Sequence, residues 1–457
     1  MTATESLLCL SAIGIYAGTA VMLARRRSPG RLAAIIPAGL AIYLPLRALL
    51  IGHGVIDENN GLNVRVGMAL PDALGTVSRV VFISAVAFWV GTVLLRRVTP
   101  RVRTPHLKGA REWTRIVPWL YLISLPGVVV QGISSLSIVS SDYEVGSGIV
   151  QQFLLLLYFL NCLSIALAIG LAERLGPAIA VMVGIVLVVA VLSASKDTLI
   201  TVVLAVAAGL LLRRRVESDH RRYLAAIAAG TAVVLLVVFP VVQAYRIGIE
   251  VEGLSLQESL TSVPRILSSY DIASGKPSGD SQNVIAASVS QGLLYFSNRF
   301  HGADSLALLV EGGPSASLLP LSSLVAAPFS VVLPTSFLDG GGEPVGRLFA
   351  VEYWGSSATS TTHVAVGAFG QVFVSLGWLG LIAVAMLWGL ITALAGRLLS
   401  SDSVTRFACG LALLLTSIGF ERDLTSTTAT ALRRLALVGL LYLVFVRGAR
   451  KRSAAGL

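Results

Sequence analysis

Twelve basic residues stand where membrane insertion does not explain them; beside Arg65, Arg265 and Lys276 they are the candidate ligands Arg47, Arg79, Lys196, Arg246, Arg299, Arg347, Arg422, Arg433 and Arg434. A guanidinium clasps phosphate oxygens in pairs and an ammonium adds a compact charge, so such a set suits a diphosphate. His363, His301 and Glu352 are the candidate general bases, since an imidazole or a carboxylate can accept the proton of a hydroxyl. His301 precedes Asp304 by three residues in NRFHGADSL, which on a helix would pair the two side chains. Glu352 is followed by Tyr353 and Trp354, whose rings suit stacking on sugars. Each feature also has a plainer reading. Single arginines snorkel to headgroups, Lys196 and Asp197 in SASKD can pair locally at a helix start, and the aromatic pair can anchor an interface. The adjacent acids Asp57 and Glu58 are a weak candidate for metal binding or base chemistry. No Walker, GxGxxG or HExxH signature occurs, so no cofactor and no metal is expected.

What positions these residues is a membrane-embedded scaffold. The chain has 457 residues, 55% hydrophobic and 13% charged, with mean hydropathy +0.81. That composition excludes a soluble globular domain. Continuous rather than alternating apolar runs exclude a membrane β-barrel. The expected fold class is all-α, a polytopic transmembrane bundle of about eleven spans. These fall near 5–24, 31–51, 77–95, 116–138, 150–171, 177–193, 198–212, 222–242, 371–396, 404–420 and 431–446. With the N-terminus outside and the C-terminus inside, the clusters RRRSPGR, RRVTPRVRTPHLKGAREWTR, RRRVESDHRR and RGARKR all fall on the inner face. This is the positive-inside pattern, and it accounts for most of the net charge of +11. The basicity therefore reads as loop anchoring, and no nucleic-acid partner is expected. Cys9, Cys162 and Cys409 lie in the spans and read as packing thiols, and the first span reads as retained rather than cleaved.

The organisation follows in three parts. Residues 1–242 form spans one to eight, 243–370 form a large extracytoplasmic loop, and 371–457 carry the last three spans and a basic cytoplasmic tail. Residues 52–76 read as a polar outer loop, and a loop as long as 243–370 is expected to be functional. Within it, 284–297 and 303–310 read as short helices. The proline-broken run 318–334 reads as interfacial or re-entrant, because a full span there would reverse the sidedness of the tail.

The stretch THVAVGAFGQVFVSLGWLGLIAVAMLWGLI, with Phe373, Gly377 and Gly380 in an F-x-x-x-G-x-x-G arrangement, resembles the late segment of Wzy-type O-antigen polymerases. SASKDTLI looks like the small-residue turn with a cation in that family, with Lys196 where Arg is usual, and NRFHGADSL looks like its outer-loop sequence. The resemblance implies a C-type glycosyltransferase fold in a bacterial cytoplasmic membrane. It implies metal-independent, inverting transfer of a glycan from undecaprenyl diphosphate onto a second lipid-linked repeat unit, alongside a flippase and a chain-length regulator. An O-antigen ligase-like enzyme, a polyprenyl-phosphate-sugar glycosyltransferase and a polar-lipid transporter are the competing readings. Mid-span ionisable residues, the expected mark of a transporter, are nearly absent from the eleven runs.

Overall fold

The computed structural model describes residues 1–25, 29–54, 64–96, 107–137, 149–172, 176–192, 196–213, 241, 244–245, 248, 252–271, 276–277, 302–313, 349, 352, 367–419 and 424–447. Helix α1 (Ala3–Ala24) opens with a capping box: the Glu5 N–H donates to Thr2 Oγ1 and the Thr2 N–H to the Glu5 carboxylate. The second apolar run is composite. A 3₁₀ turn (Gly30–Ala34) leads into α2 (Ile35–Ala41), a π turn around Pro45 (Ile42–Leu46) and α3 (Arg47–Gly52). There follow α4 (Val64–Arg96), α5 (Ala110–Ser137), α6 (Ile149–Leu171), α7 (Pro177–Leu192) and α8 (Lys196–Arg213). The long segment contributes α9 (Leu256–Ser269), a two-residue antiparallel pairing of β1 (Tyr270–Asp271) with β2 (Lys276–Pro277), and α10 (Gly302–Gly312). The C-terminal part is α11 (Ala368–Leu399), α12 (Val404–Ser417) and α13 (Leu424–Leu441), the last continuing as a π turn (Tyr442–Arg447).

The fold is thus helical. Among the described residues, five helical runs are long and apolar enough to cross a membrane: Ala3–Ala24, Gly30–Gly52, Ala73–Leu95, Ala368–Leu399 and Leu424–Phe445. Shorter apolar helices cover Leu156–Leu171, Pro177–Val189, Ile200–Arg213 and Val404–Ser417. Leu7, Trp119, Leu122, Val181 and Val188 project outward, an apolar exterior suited to lipid. Two boundaries differ most from the sequence reading. Residues 64–76, expected in a polar loop, extend α4 toward the N-terminus. α13 begins at Leu424 rather than near 431, because its threonine-rich first turns are helical although not apolar. The run 303–310 is helical as expected, within α10. The expected elements at 222–242 (apart from residue 241), 284–297 and 318–334 lie outside the described residues.

Glycines set the closest crossings. The most extensive pairing is α4 with α11, where a Cβ on Gly91 would lie 1.9 Å from the Met386 carbonyl and one on Gly389 would lie 2.1 Å from the Phe88 carbonyl. Thr92 Oγ1 donates both to Phe88 O at 2.9 Å and across the crossing to Gly389 O at 3.3 Å. α6 and α8 approach similarly, Gly209 meeting the Ala166 carbonyl. This small-residue packing is what joins helices where lipid removes the hydrophobic drive.

Helix ends gather in two sets. At one end Gly30 abuts Gly396 and Ser400, and the Lys108 N–H donates to Asp402 O at 2.7 Å. There too Trp113 Nε1 reaches Thr405 Oγ1, and Arg213 Nη1 caps the carbonyl of Ala172. At the opposite end Ser6 Oγ lies 3.1 Å from His53 Nε2 and Gly52 abuts Met1. The first set joins segments that charge sorting assigns to the inner face, the second joins outer ones.

α11 is not a straight rod. Gly377 has φ 67 and ψ −159, a conformation open to glycine alone, and the chain folds back on itself there. Phe369 and Trp388, nineteen residues apart, have ring centroids 6.0 Å apart, whereas a straight helix would separate them by about 28 Å. Gly380 lets Val372 and Leu376 approach, and Phe373 packs edge-on to Trp378 at 4.7 Å. The expected span 371–396 is therefore a crossing-length arm, 378–399, plus a short arm, 368–376, folded back on it.

Candidate functional site

Those sequence-selected cations that are described are spread over four helices. Arg47 is 3% exposed at the start of α3, whose principal neighbours are α1, α4 and α10. Arg79 is exposed on the flank of α4. Arg433 and Arg434, expected at a span end, lie about 14–15 Å inside α13 measured from Leu424. Lys196 is the first residue of α8 rather than part of the preceding turn. Glu352 is exposed. Arg246, Arg299, Arg347, Arg422, His301 and His363 lie outside the described residues.

One group does converge. A cleft of about 40 Å³, room for a few waters, opens between α8, α12 and α13. Ile200 and Thr201 come from α8, Leu415 and Thr416 from α12, and Thr427, Thr430 and Arg434 from α13. Position 196 lies one turn before Ile200 on the same helix face. Arg434 is held on two sides. Its Nη1 donates to Thr416 Oγ1 at 3.1 Å, and its guanidinium carbon lies 5.3 Å from the centroid of the Phe159 ring on α6. Thr416 in turn donates to Ala412 O at 2.8 Å, which fixes its oxygen toward Arg434. The cleft thus combines hydroxyls, a clamped guanidinium and apolar walls.

α11 braces both sides of the α12–α13 connection. Trp388 Nε1 on the crossing arm donates to Ser417 O at 3.3 Å, and Gln371 on the short arm accepts the Leu424 N–H at 2.9 Å. Gln371 is wholly buried, so its amide caps the first turn of α13 where water does not reach. The same short arm seats on α10, where Gly370 admits Leu306 and Leu309, and Gly367 comes close to the Tyr43 ring. Arg422 lies in sequence between the two braced ends.

Sequence reasoning did not select Gln371, Thr416, Phe159 or the α13 threonines. Gln371 carried a usable signal, an amide inside the apolar run GAFGQVFV. Comparison with known protein families, with curated proteins and with solved structures found no match. The reading of this site therefore rests on its own residues. The chemistry the arrangement offers is anion binding by charge-assisted hydrogen bonds inside an apolar wall, where such bonds are strong.

Proposed function

We propose that this protein polymerises lipid-linked oligosaccharides by glycosyl transfer from a polyprenyl diphosphate, with the diphosphate in the Arg434 cleft. The observation that carries this reading is Arg434 itself, an arginine inside a membrane-length helix, clamped by Thr416 and Phe159 and lining one cleft with Thr201, Thr427 and Thr430. Ionisable residues at that depth are expensive and mark substrate paths. A guanidinium has five N–H donors, enough to serve Thr416 and clasp phosphate oxygens as well. In the reaction the acceptor hydroxyl forms a bond to the anomeric carbon as the bond from that carbon to the diphosphate oxygen breaks. The diphosphate departs with the electron pair, and the arginine and hydroxyls stabilise its growing charge. The acceptor proton passes to a base, for which His363, His301 and Glu352 are the candidates. The end of the bundle that holds Lys108, Arg213 and Arg397 faces the cytoplasm in this reading, and the chemistry occurs at the opposite leaflet of a bacterial cytoplasmic membrane.

A second reading has one observation in its favour. Arg433 and Arg434 within α13, and the broken helix α11, are features of transporters, so transfer of the lipid across the bilayer is the alternative function. Purified full chain in proteoliposomes containing a polyprenyl-diphosphate-linked repeat unit separates the two. Polymerisation yields a ladder of lengthened glycans and does so without an added acceptor such as lipid A. Movement of unchanged lipid between leaflets, with no ladder, refutes the enzyme reading.

A further inference from the structure

Helix α5 has two opposite faces. Trp113, Val117, Leu120, Ser124 and Val128 recur at spacings of three and four and are buried. Hydrogen bonds fix the helix in that orientation along its length. Trp113 Nε1 donates to Thr405 Oγ1 on α12 at 3.2 Å, Tyr121 Oη to Met182 O on α7 at 3.0 Å, and Asn161 Nδ2 on α6 to Ser124 Oγ at 2.9 Å. The other face is therefore held outward. It carries Arg111, Arg115, Trp119, Leu122, Pro126 and Val129, again at spacings of three and four, and all six are exposed. Lys108 stands three residues before this stripe and is exposed as well, its backbone pinned to Asp402 and Val404. Among the described residues, Lys108, Arg111 and Arg115 form no ion pair.

We propose that this stripe docks an anionic glycerophospholipid. Arg111 and Arg115 hold the headgroup phosphate with Lys108 beside them, and an acyl chain lies along Trp119, Leu122, Pro126 and Val129. The two arginines are one helical turn apart, about 6 Å, which lets both guanidiniums reach one phosphate. From Trp119 to Val129 the helix rises about 15 Å, half of a hydrocarbon core about 30 Å thick. Cations, then an aromatic ring, then an apolar run is the order in which a leaflet presents phosphate, interface and chains. Charge selects an anionic lipid, because a zwitterionic headgroup brings a cation of its own to three already present. Adjoining α12 lacks the pattern: Arg406 is exposed, but Gly410 and Leu413, which follow it on the same face, are buried. This docking is independent of the ligand in the Arg434 cleft and of which leaflet meets this end of the bundle.

Phosphatidylglycerol with a diazirine in its headgroup tests this, irradiated with the full chain in phosphatidylcholine nanodiscs and mapped by peptide mass. Label is expected within 107–119. Unlabelled phosphatidylglycerol should displace it, and the same added amount of phosphatidylcholine should not. Each Lys or Arg near an anionic headgroup contributes about fivefold to association, so at subsaturating probe Arg111→Ala with Arg115→Ala should lower the label by about fivefold or more. Arg406→Ala should leave it unchanged. All three positions are exposed, and substitutions at such sites leave stability nearly unaltered. Should the alanine pair fail to insert, the competition in wild type decides by itself. An absence of label within 107–119, or displacement by phosphatidylcholine as effective as by phosphatidylglycerol, overturns the proposal. So does wild-type labelling in the alanine pair, or an equal loss in Arg406→Ala.

Discussion

Replacing Gly389 by alanine puts a methyl group where the structure has no room. The new Cβ would lie 2.1 Å from the Phe88 carbonyl oxygen, against an ordinary contact distance of 3.4 Å or more, so α4 and α11 must part by about 1.3 Å. That separation also stretches the hydrogen bond from Thr92 to Gly389 O, already 3.3 Å long. Overpacking of this kind costs about 1–3 kcal/mol. Alanine meanwhile gains about 1 kcal/mol of helix propensity over glycine. Gly184→Ala on α7 is the matched control, since nothing among the described residues lies within 4 Å of its Cβ position. The propensity gain is common to both variants, so their difference isolates the packing cost. Gly91→Ala should behave like Gly389→Ala. The double variant should lose less than the two single losses added, because one parting of the helices relieves both clashes. Thermal unfolding in detergent, read by loss of the monodisperse peak, measures all four. A Gly389→Ala protein as stable as Gly184→Ala, or strict additivity in the double variant, refutes the close crossing.

The other predictions concern single contacts. Trp113→Phe keeps one buried aromatic ring but loses the rest of the indole and its Nε1 hydrogen bond to Thr405, costing about 1–3 kcal/mol, whereas Trp113→Ala should cost about 3–5 kcal/mol. Unfolding midpoints that do not separate the two would show that the ring is not packed as described. At the start of α9 the Ser255 hydroxyl and N–H both donate to Glu258 and hold its carboxyl below the ordinary value of 4.5. A depressed folded pKa gives support that is complete above the ordinary value and lost as pH falls through the folded one. Amide exchange in α9, corrected for intrinsic rates, should therefore be steady from about pH 8 to 5.5 and quicken below 4.5. Ser255→Ala, which keeps the backbone donor, should weaken that dependence and Glu258→Gln should remove it, and a pH response unchanged in Glu258→Gln would rule out the cap as its source.

The helical fold was readable because long apolar runs are strong, repeated signals. The site was less readable, for physical reasons that differ by residue. The TSTTATA run of α13 reads as a polar turn, which hid the helix start at Leu424 and made Arg433 and Arg434 look like rim residues. Residues 64–76 contain Gly67 and Pro71, which argue locally against the helix that nevertheless runs through them. Gly377 was visible as part of a glycine motif, yet a glycine within an apolar run is usually tolerated in a straight helix. Only the proximity of Phe369 to Trp388 reveals the fold-back. Gln371 acts on a backbone amide fifty-three residues away, a pairing that no local pattern encodes.

The central claim is that the cleft between α8, α12 and α13 holds a lipid diphosphate. A polyprenyl diphosphate carrying a diazirine beside its phosphates, crosslinked to the full chain in nanodiscs and mapped by peptide mass, tests it directly. Label is expected within 196–213 and 404–447, lost in Arg434→Ala and retained in Arg265→Ala, whose native arginine pairs with Glu252 in the long segment. Label concentrated instead on 35–52 and 64–96, around Arg47 and Arg79, or labelling of 196–213 and 404–447 that survives Arg434→Ala, would contradict the account.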